Sequence, residues 1–394
     1  MNMKFESNHL YKRIDSFYSH LINRASLTRA LENIRQIPDY QPSTLLDCAS
    51  LARELGLAKI SCKHEGDRFA GGSFKPLGVA NAVIEIAKRV LEKRTSVKVT
   101  TAGLFSDQPV TSLSDLTFAC ATSGNHGYAL AWIARRLGAN CRIYCPANTS
   151  VFRMERIRTL GATVIPVPGS FDDAVATCSS ESFVRGDIVV SNLIQDGFED
   201  IPELIMNGYA VLAQEVLEQV ESQVTHIFVG GGGGRLAAAI AATFQIQQGE
   251  NSPKVIVVEP EYSDCIANSI QTGEVSTSRA SGVTMMTGLV VSRPSQVSWP
   301  ILRSEVFATL TINDEIAINS LLDLRNGVLG DGFAPVGETG IAALAGFLTV
   351  MRDKKIAEEL GLDTKSHVLV VACEGVTDPH LLDLILAGAS GAQR

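Results

Sequence analysis

Four short segments combine residue types that could carry chemistry. The first is Gly71-Gly72-Ser73-Phe74-Lys75-Pro76, ahead of the helical pattern LGVANAVIEIAKRV. Two glycines and a serine before a lysine at a helix start shape a backbone for an anion or an aldehyde cofactor. A lysine buried there would lose proton affinity to desolvation and to the positive helix end, which makes it a usable amine nucleophile. The competing reading is a solvated lysine in the first helical turn, and this segment alone favours it. The second segment is Thr122-Ser123-Gly124-Asn125-His126-Gly127, between the apolar run LTFAC and the helical pattern ALAWIARRLGA. Backbone amides and two hydroxyls at a helix start form a cradle for a carboxylate. Asn125 can donate and accept in one plane, which suits a ring oxygen. Ordinary capping by Thr122 or Ser123 is the alternative, and His126 alone reads as a packed, hydrogen-bonded residue.

The third segment runs from Gly230 through Gly231, Gly232, Gly233 and Gly234 to Arg235, between THIFV and LAAAIAATF. Consecutive glycines leave their amides free to face a phosphate at a helix N-terminus. Apolar runs on both sides exclude a surface linker. A rival occupies the same stretch: glycines after a strand, a helix, then a strand ending in Glu259 could form a dinucleotide-binding unit with its ribose acid. That rival, a nicotinamide-dependent oxidoreductase, leaves Lys75 and Asn125 without a role. The fourth segment is Val370 to Gly375, VVACEG, where Cys373 follows the last strong strand. Ligands of parallel sheets sit beyond the carboxyl ends of strands, so Cys373 could face a pyridine nitrogen as a neutral thiol. A buried core cysteine is the equal alternative.

The elements that must position these residues alternate in type. Nine strand candidates, AKISCKHE, LTFACAT, CRIYC, ATVIPV, DIVVS, THIFVG, KVIVVE, FATLTI and HVLVVAC, are separated by helical stretches. Several are apolar throughout, as strands covered on both faces are. The order predicts an α/β architecture with parallel sheets. Residues 90–115 read as an exposed hairpin or a linker between domains, residues 261–300 as loop, and Met285, Met286 and Thr287 as pocket or core residues. A length of 394 residues predicts two domains. The 19% charged and 45% apolar composition is that of a globular chain. A net charge of −8 argues against nucleic acid or an anionic membrane as main partner. No signal-peptide pattern and no apolar stretch of spanning length is present. The eight cysteines lack metal or redox spacing, so no metal is expected, and a cytoplasmic location is.

With these segments in place, the sequence resembles the fold type II (tryptophan-synthase-like) pyridoxal-phosphate enzymes, and among them the 2,3-diaminopropionate ammonia-lyases. The resemblance spans Leu45 to Pro379, and NLIQDGFEDIPELIMNGYAVLA, THIFVGGGGG, VVEPEYSDCI, MMTGL, GETG and CEGVTD carry it. It implies a large discontinuous pyridoxal-phosphate domain, residues 1–90 and 206–394, and a small α/β domain, residues 91–205, with the active site in the cleft between them. It implies that Lys75 holds the cofactor covalently and later removes the Cα proton. It further implies that Thr122, Ser123, Gly124 and Asn125 hold the substrate carboxylate, with Asn125 also reaching the ring oxygen. Gly231 through Gly234 with the Arg235 amide would cradle the phosphate, and Cys373 would face the pyridine nitrogen. Asp196 would meet a distal amino group; a helix cap before PELIMNGY is its other reading. In relatives that accept both enantiomers, an aspartate stands where this chain has Ser123, so poor use of D-substrates is expected. The activity implied is β-elimination from a small amino acid, giving a 2-oxo acid and ammonia. β-Replacement of the cysteine-synthase type, supported by the Thr-Ser-Gly-Asn loop, and serine or threonine dehydration are the alternatives. A homodimer is implied by the family alone.

Overall fold

The computed structural model describes residues 3–11, 18–106, 112–122, 124–191, 198–280, 282–330 and 332–392. All nine expected strands are present, as β3 (Lys59–His64), β4 (Thr117–Ala121), β5 (Asn140–Pro146), β6 (Thr163–Val167), β7 (Ile188–Val189), β8 (His226–Gly230), β9 (Lys254–Pro260), β10 (Val306–Ile312) and β11 (His367–Ala372). Two more, β1 (Lys4–Ser7) and β2 (Thr44–Asp47), were not expected. Both are short and half exposed, so they lack the apolar run that marks a covered strand.

The chain forms two compact units. One comprises residues 1–23, 42–67 and 212–394. Its sheet has the order β1-β10-β9-β8-β11-β3-β2, parallel within and closed at each edge by an antiparallel strand, β1 or β2. The strands at its centre are buried along their whole length, as β8 and β11 show. Helix Ala342–Arg352 covers one face, its residues 342–350 all buried. The earlier loop reading of 261–300 is partly replaced by helix Cys265–Thr272 and a single 3-10 turn at Thr287–Leu289.

The second unit comprises residues 24–41 and 68–211 around the all-parallel sheet β6-β5-β4-β7. It is larger than the 91–205 segment expected, because helix Lys75–Thr95 packs on helices Asn125–Arg136 and Arg24–Arg35. Residues 76–87 of that helix are buried on every side, so its burial rests on neighbours distant in sequence. Asn81 donates to the Leu204 carbonyl at 2.7 Å, and Asn33 to Glu85 at 2.7 Å. Gly78 and Gly208 let two helices touch: a Cβ on Gly208 would lie 2.3 Å from the Leu77 oxygen. Such a contact admits no side chain.

Candidate active site

In the second unit, Lys75 is the first residue of helix Lys75–Thr95, with Pro76 beside it. Proline there loses no hydrogen bond, since the first-turn amides have no helical acceptor. The turn that delivers Lys75 is strained: Phe69 (φ 47°) and Ala70 (φ 55°) are left-handed, as is Gly72 (φ 74°). Left-handed backbone at non-glycine residues costs about 1–3 kcal/mol each and persists only where surroundings enforce it. Here Phe69 stacks on Trp132 with centroids 4.7 Å apart, and buried Arg68 donates to the Gln41 carbonyl. The Lys75 ammonium lies 4.6 Å from the centroid of Phe74 and 6.0 Å from that of Tyr209. Ser73, two residues earlier, is buried, and its hydroxyl has no hydrogen-bond partner among the described residues.

The loop after β4 lies at the point where the strand order turns. The chain runs from β4 to β5 and β6 on one side, then returns to β7 on the other. Ligands of open parallel sheets bind at such points. Thr122 accepts at Oγ1 from the Gly124 amide at 3.1 Å, and its own amide donates to Tyr144. Gly124 caps helix Asn125–Arg136 without a side chain, so the capping alternative for Thr122 does not hold. His126 donates through Nε2 to the Val190 carbonyl at 2.7 Å, the packed role expected of it. Ser123 and Asp196 lie outside the described residues.

In the first unit, the glycine loop joins β8 to helix Arg235–Gln248. The Gly231 amide donates to Val258, and the Gly233 carbonyl accepts from Ser298 Oγ and the Ser295 amide. The Gly234 amide donates to the Gly231 carbonyl at 3.2 Å, so the amides of Gly231 and Gly234, expected at a phosphate, are both engaged within the fold. Helix Arg235–Gln248 has no side-chain cap. Gly232 (φ 59°) and Gly234 (φ 81°) are left-handed, and a Cβ on Gly234 would lie 2.4 Å from Leu302 Cδ1. A Cβ on Gly231 would lie 2.6 Å from Glu259 Cγ. The glycines are therefore required by backbone shape and by close packing, and they end on the positive pole of an uncapped helix.

Cys373 follows β11, the strand beside β8. Phe228 pairs with Val370 in parallel register, so Cys373 ends level with the start of the glycine loop. Cys373 is buried, its Sγ 4.0 Å from the Thr339 carbonyl. Thr339 Oγ1 also accepts from the Gly288 amide at 3.0 Å. This fixes the MMTGL segment, in which Met286 is a fully buried core residue. Glu259, the acid of the dinucleotide alternative, is spent on structure. It is fully buried, with Oε1 accepting from the Ile266 amide (2.9 Å) and Oε2 from the Ala267 amide (2.8 Å). Burial pushes its pKa up to about 8 against the pull of the two amides. Fully buried and engaged with two helix amides, Glu259 has no exposed face to offer a ribose, which removes that reading.

Sequence reasoning missed His64, buried at the carboxyl end of β3 and opposite Ala372 in register. Its Nε2 donates to the Pro335 carbonyl at 3.0 Å, while Nδ1 is buried without a partner among the described residues. In the sequence it is one polar residue among several in KISCKHE, so nothing there singled it out. Among the described residues no group of three or more His, Cys, Asp or Glu side chains could hold a metal ion. All eight cysteines are buried and free. Among the described residues no helix is long and apolar enough to cross a membrane.

In the first unit an uncapped glycine loop with an adjoining thiol suits a phosphate-bearing ligand; in the second, a lysine at a strained turn beside a buried hydroxyl suits an aldehyde. The family model for pyridoxal-phosphate dependent enzymes matches residues 37–374. The chain belongs to that family, uses pyridoxal phosphate, and has the fold type II architecture. Within it the chain belongs with the diaminopropionate ammonia-lyases: it is 30% identical to that enzyme of Salmonella typhimurium over 371 residues, 90% of this chain and 91% of the relative. The Escherichia coli K12 enzyme is 30% identical over 377 residues, 94% of each chain. The crystal structure of the Escherichia coli enzyme with an aminoacrylate-PLP azomethine reaction intermediate superimposes with a TM-score of 0.86 at 28% identity, covering 99% of this chain and 98% of that one. Threonine deaminase isoform 2 from Solanum lycopersicum shares the fold, with a TM-score of 0.73 at 19% identity.

Proposed function

We propose that the chain eliminates the β-substituent of a small amino acid, foremost L-2,3-diaminopropionate, giving pyruvate and ammonia. The observation that carries this is the end-to-end similarity to diaminopropionate ammonia-lyases, 94% of both chains for the Escherichia coli enzyme. Lys75 holds the cofactor, and its amine then takes the Cα proton. Bound there, pyridoxal phosphate supplies an electron sink for the carbanion. Of the Gly231–Gly234 and Arg235 amides, those of Gly232, Gly233 and Arg235 hold the phosphate, because the Gly231 and Gly234 amides are engaged by the Val258 and Gly231 carbonyls, and Cys373 keeps a neutral partner at the ring nitrogen. Thr122, Ser123, Gly124 and Asn125 receive the substrate carboxylate and orient the Cα–H bond, with Asn125 also at the ring oxygen. Asp196 is the acid for the leaving amine. A homodimer in the cytoplasm is the setting we infer from the family and from eight reduced, buried cysteines.

The Thr-Ser-Gly-Asn loop favours β-replacement as the second reading. Product analysis separates the two. Incubation of the holoenzyme with L-2,3-diaminopropionate is expected to release two ammonia for each pyruvate, with and without an added thiol. A thioether product in place of pyruvate would establish replacement. With Ser123 in the loop, the D-enantiomer is expected to react far more slowly.

A further inference from the structure

Two buried side chains of the first unit hold the glycine loop and have no role in the steps above. A trans peptide unit is planar, so each amide points opposite to the carbonyl of the residue before it. Whatever ties down a carbonyl of the loop therefore aims the next amide. The Gly231 carbonyl accepts from the Gly234 amide at 3.2 Å, which turns the Gly232 amide away from the turn it closes. The Gly234 carbonyl accepts from the Ala238 amide at 2.8 Å, which aims the Arg235 amide out of the helix start. Backbone alone sets these two. The carbonyls between them are held by side chains. That of Gly233 accepts from Ser298 Oγ at 2.8 Å and from the Ser295 amide at 2.9 Å. The Ser298 hydroxyl has only one proton, which it divides with the Ser295 carbonyl, also 2.9 Å away. The Gly232 carbonyl accepts from the Cys265 thiol, with Sγ and O 3.7 Å apart, and has no other donor among the described residues. The Gly233 amide, on the far side of that peptide, meets no acceptor among the described residues. A peptide between two glycines has no side-chain sterics to choose its orientation, so the thiol is what chooses it.

Cys265 is itself firmly placed. It is fully buried as the first residue of helix Cys265–Thr272, and the next two amides of that helix are anchored on Glu259. Glu259 in turn packs against the loop, its Cγ 2.6 Å from where a Cβ on Gly231 would lie. Burial, with the neighbouring Glu259 and Asp264 carboxyls, pushes the thiol's pKa up, so it keeps the proton it donates. We propose that Cys265 is a positioning residue of the phosphate cradle: its thiol fixes the Gly232–Gly233 peptide so that the Gly233 amide meets the cofactor's phosphate. The assignment rests on the function proposed above, in which that loop holds the phosphate, and deepens it. It gives a second buried cysteine a task, separate from that of Cys373 at the ring nitrogen.

The test is equilibrium titration of the cofactor-free protein with pyridoxal phosphate, inorganic phosphate and pyridoxal, which keeps the aldehyde and lacks the phosphate. Cys265→Ala is expected to weaken pyridoxal phosphate and inorganic phosphate about threefold to tenfold, the loss of one weak hydrogen bond. Pyridoxal should stay within about twofold of wild type, which also reports that the variant is folded. Cys265→Val, which keeps the volume without the donor, should match Cys265→Ala. Cys265→Ser, which keeps a donor, should stay within about twofold of wild type. Ser298→Ala should lose less than Cys265→Ala, because the Ser295 amide still holds the Gly233 carbonyl. Unchanged phosphate affinity in Cys265→Ala and Cys265→Val overturns the assignment. So does an equal loss for pyridoxal, or a Cys265→Ser variant as weak as Cys265→Ala. A wild-type protein that binds pyridoxal phosphate no more tightly than pyridoxal removes the cradle itself, and this assignment with it, while leaving the role of Lys75 untouched.

Discussion

The two units bring their functional groups into place by different means. In the second unit the chemistry rests on one side chain, Lys75, and its support is spread through the chain. Phe69 and Ala70 are left-handed, Phe69 leans on Trp132, and the helix behind Lys75 is held by Asn33, Asn81, Gly78 and Gly208. In the first unit the binding group is backbone. Five glycines between a strand and a helix are nearly sufficient, with Ser295, Ser298 and Glu259 bracing them. Side-chain chemistry needs distant support; backbone chemistry needs local freedom and close packing.

If that contrast is right, the largest effect belongs to Lys75→Ala. It should lower turnover by about a thousandfold or more, because it removes the nucleophile and the base together. Product assays on the variant with and without an added primary amine would read it. Retention of more than a tenth of wild-type activity would contradict the assignment.

A substitution in the cradle should instead be graded. Gly234→Ala places a methyl at φ 81°, against Leu302. A cost of about 1–3 kcal/mol corresponds to roughly tenfold to hundredfold weaker pyridoxal-phosphate binding by equilibrium titration. Activity at saturating cofactor should largely return, which sets this region apart from Lys75.

Glu259 sharpens the comparison through pH. Its folded-state pKa, about 8, stands above the ordinary 4.5, so the folded chain binds the extra proton between those values. The stabilisation is complete below pH 4.5, declines as pH rises toward 8, and is flat above. Denaturant midpoints of the first unit should follow that slope in wild type and lose it in Glu259→Gln. A slope that survives the substitution would assign it to another group.

The smallest effect is expected at Cys373. Serine keeps a neutral hydrogen-bonding group at nearly the same volume, so Cys373→Ser should retain kcat within about threefold. Cys373→Asp should lower it and shift the cofactor absorbance, since a carboxylate would favour a protonated ring nitrogen.

The same contrast decides what the sequence made legible. The glycine run, the nine strand runs and the lysine after two glycines were readable because each depends on neighbours in the chain. β1 and β2 were not, because four-residue edge strands with exposed ends carry little pattern. The place of residues 24–41 and 68–90 in the second unit was not readable either, since it follows from helix packing between distant segments. Glu259 showed the reverse hazard. Its spacing after the glycines suggested a ribose acid, while its two hydrogen bonds to the amides of Ile266 and Ala267 bury it as a helix anchor. His64 gave no motif, and its placement becomes visible only when β3 and β11 are seen to end level.

The most direct measurement of the central claim is a visible absorbance scan of the purified protein, before and after borohydride reduction, followed by peptide mapping. The account predicts a violet-blue band that reduction removes, with the cofactor's mass fixed on the peptide containing Lys75. A protein that stays colourless after addition of pyridoxal phosphate, or a label on any other lysine, would contradict it.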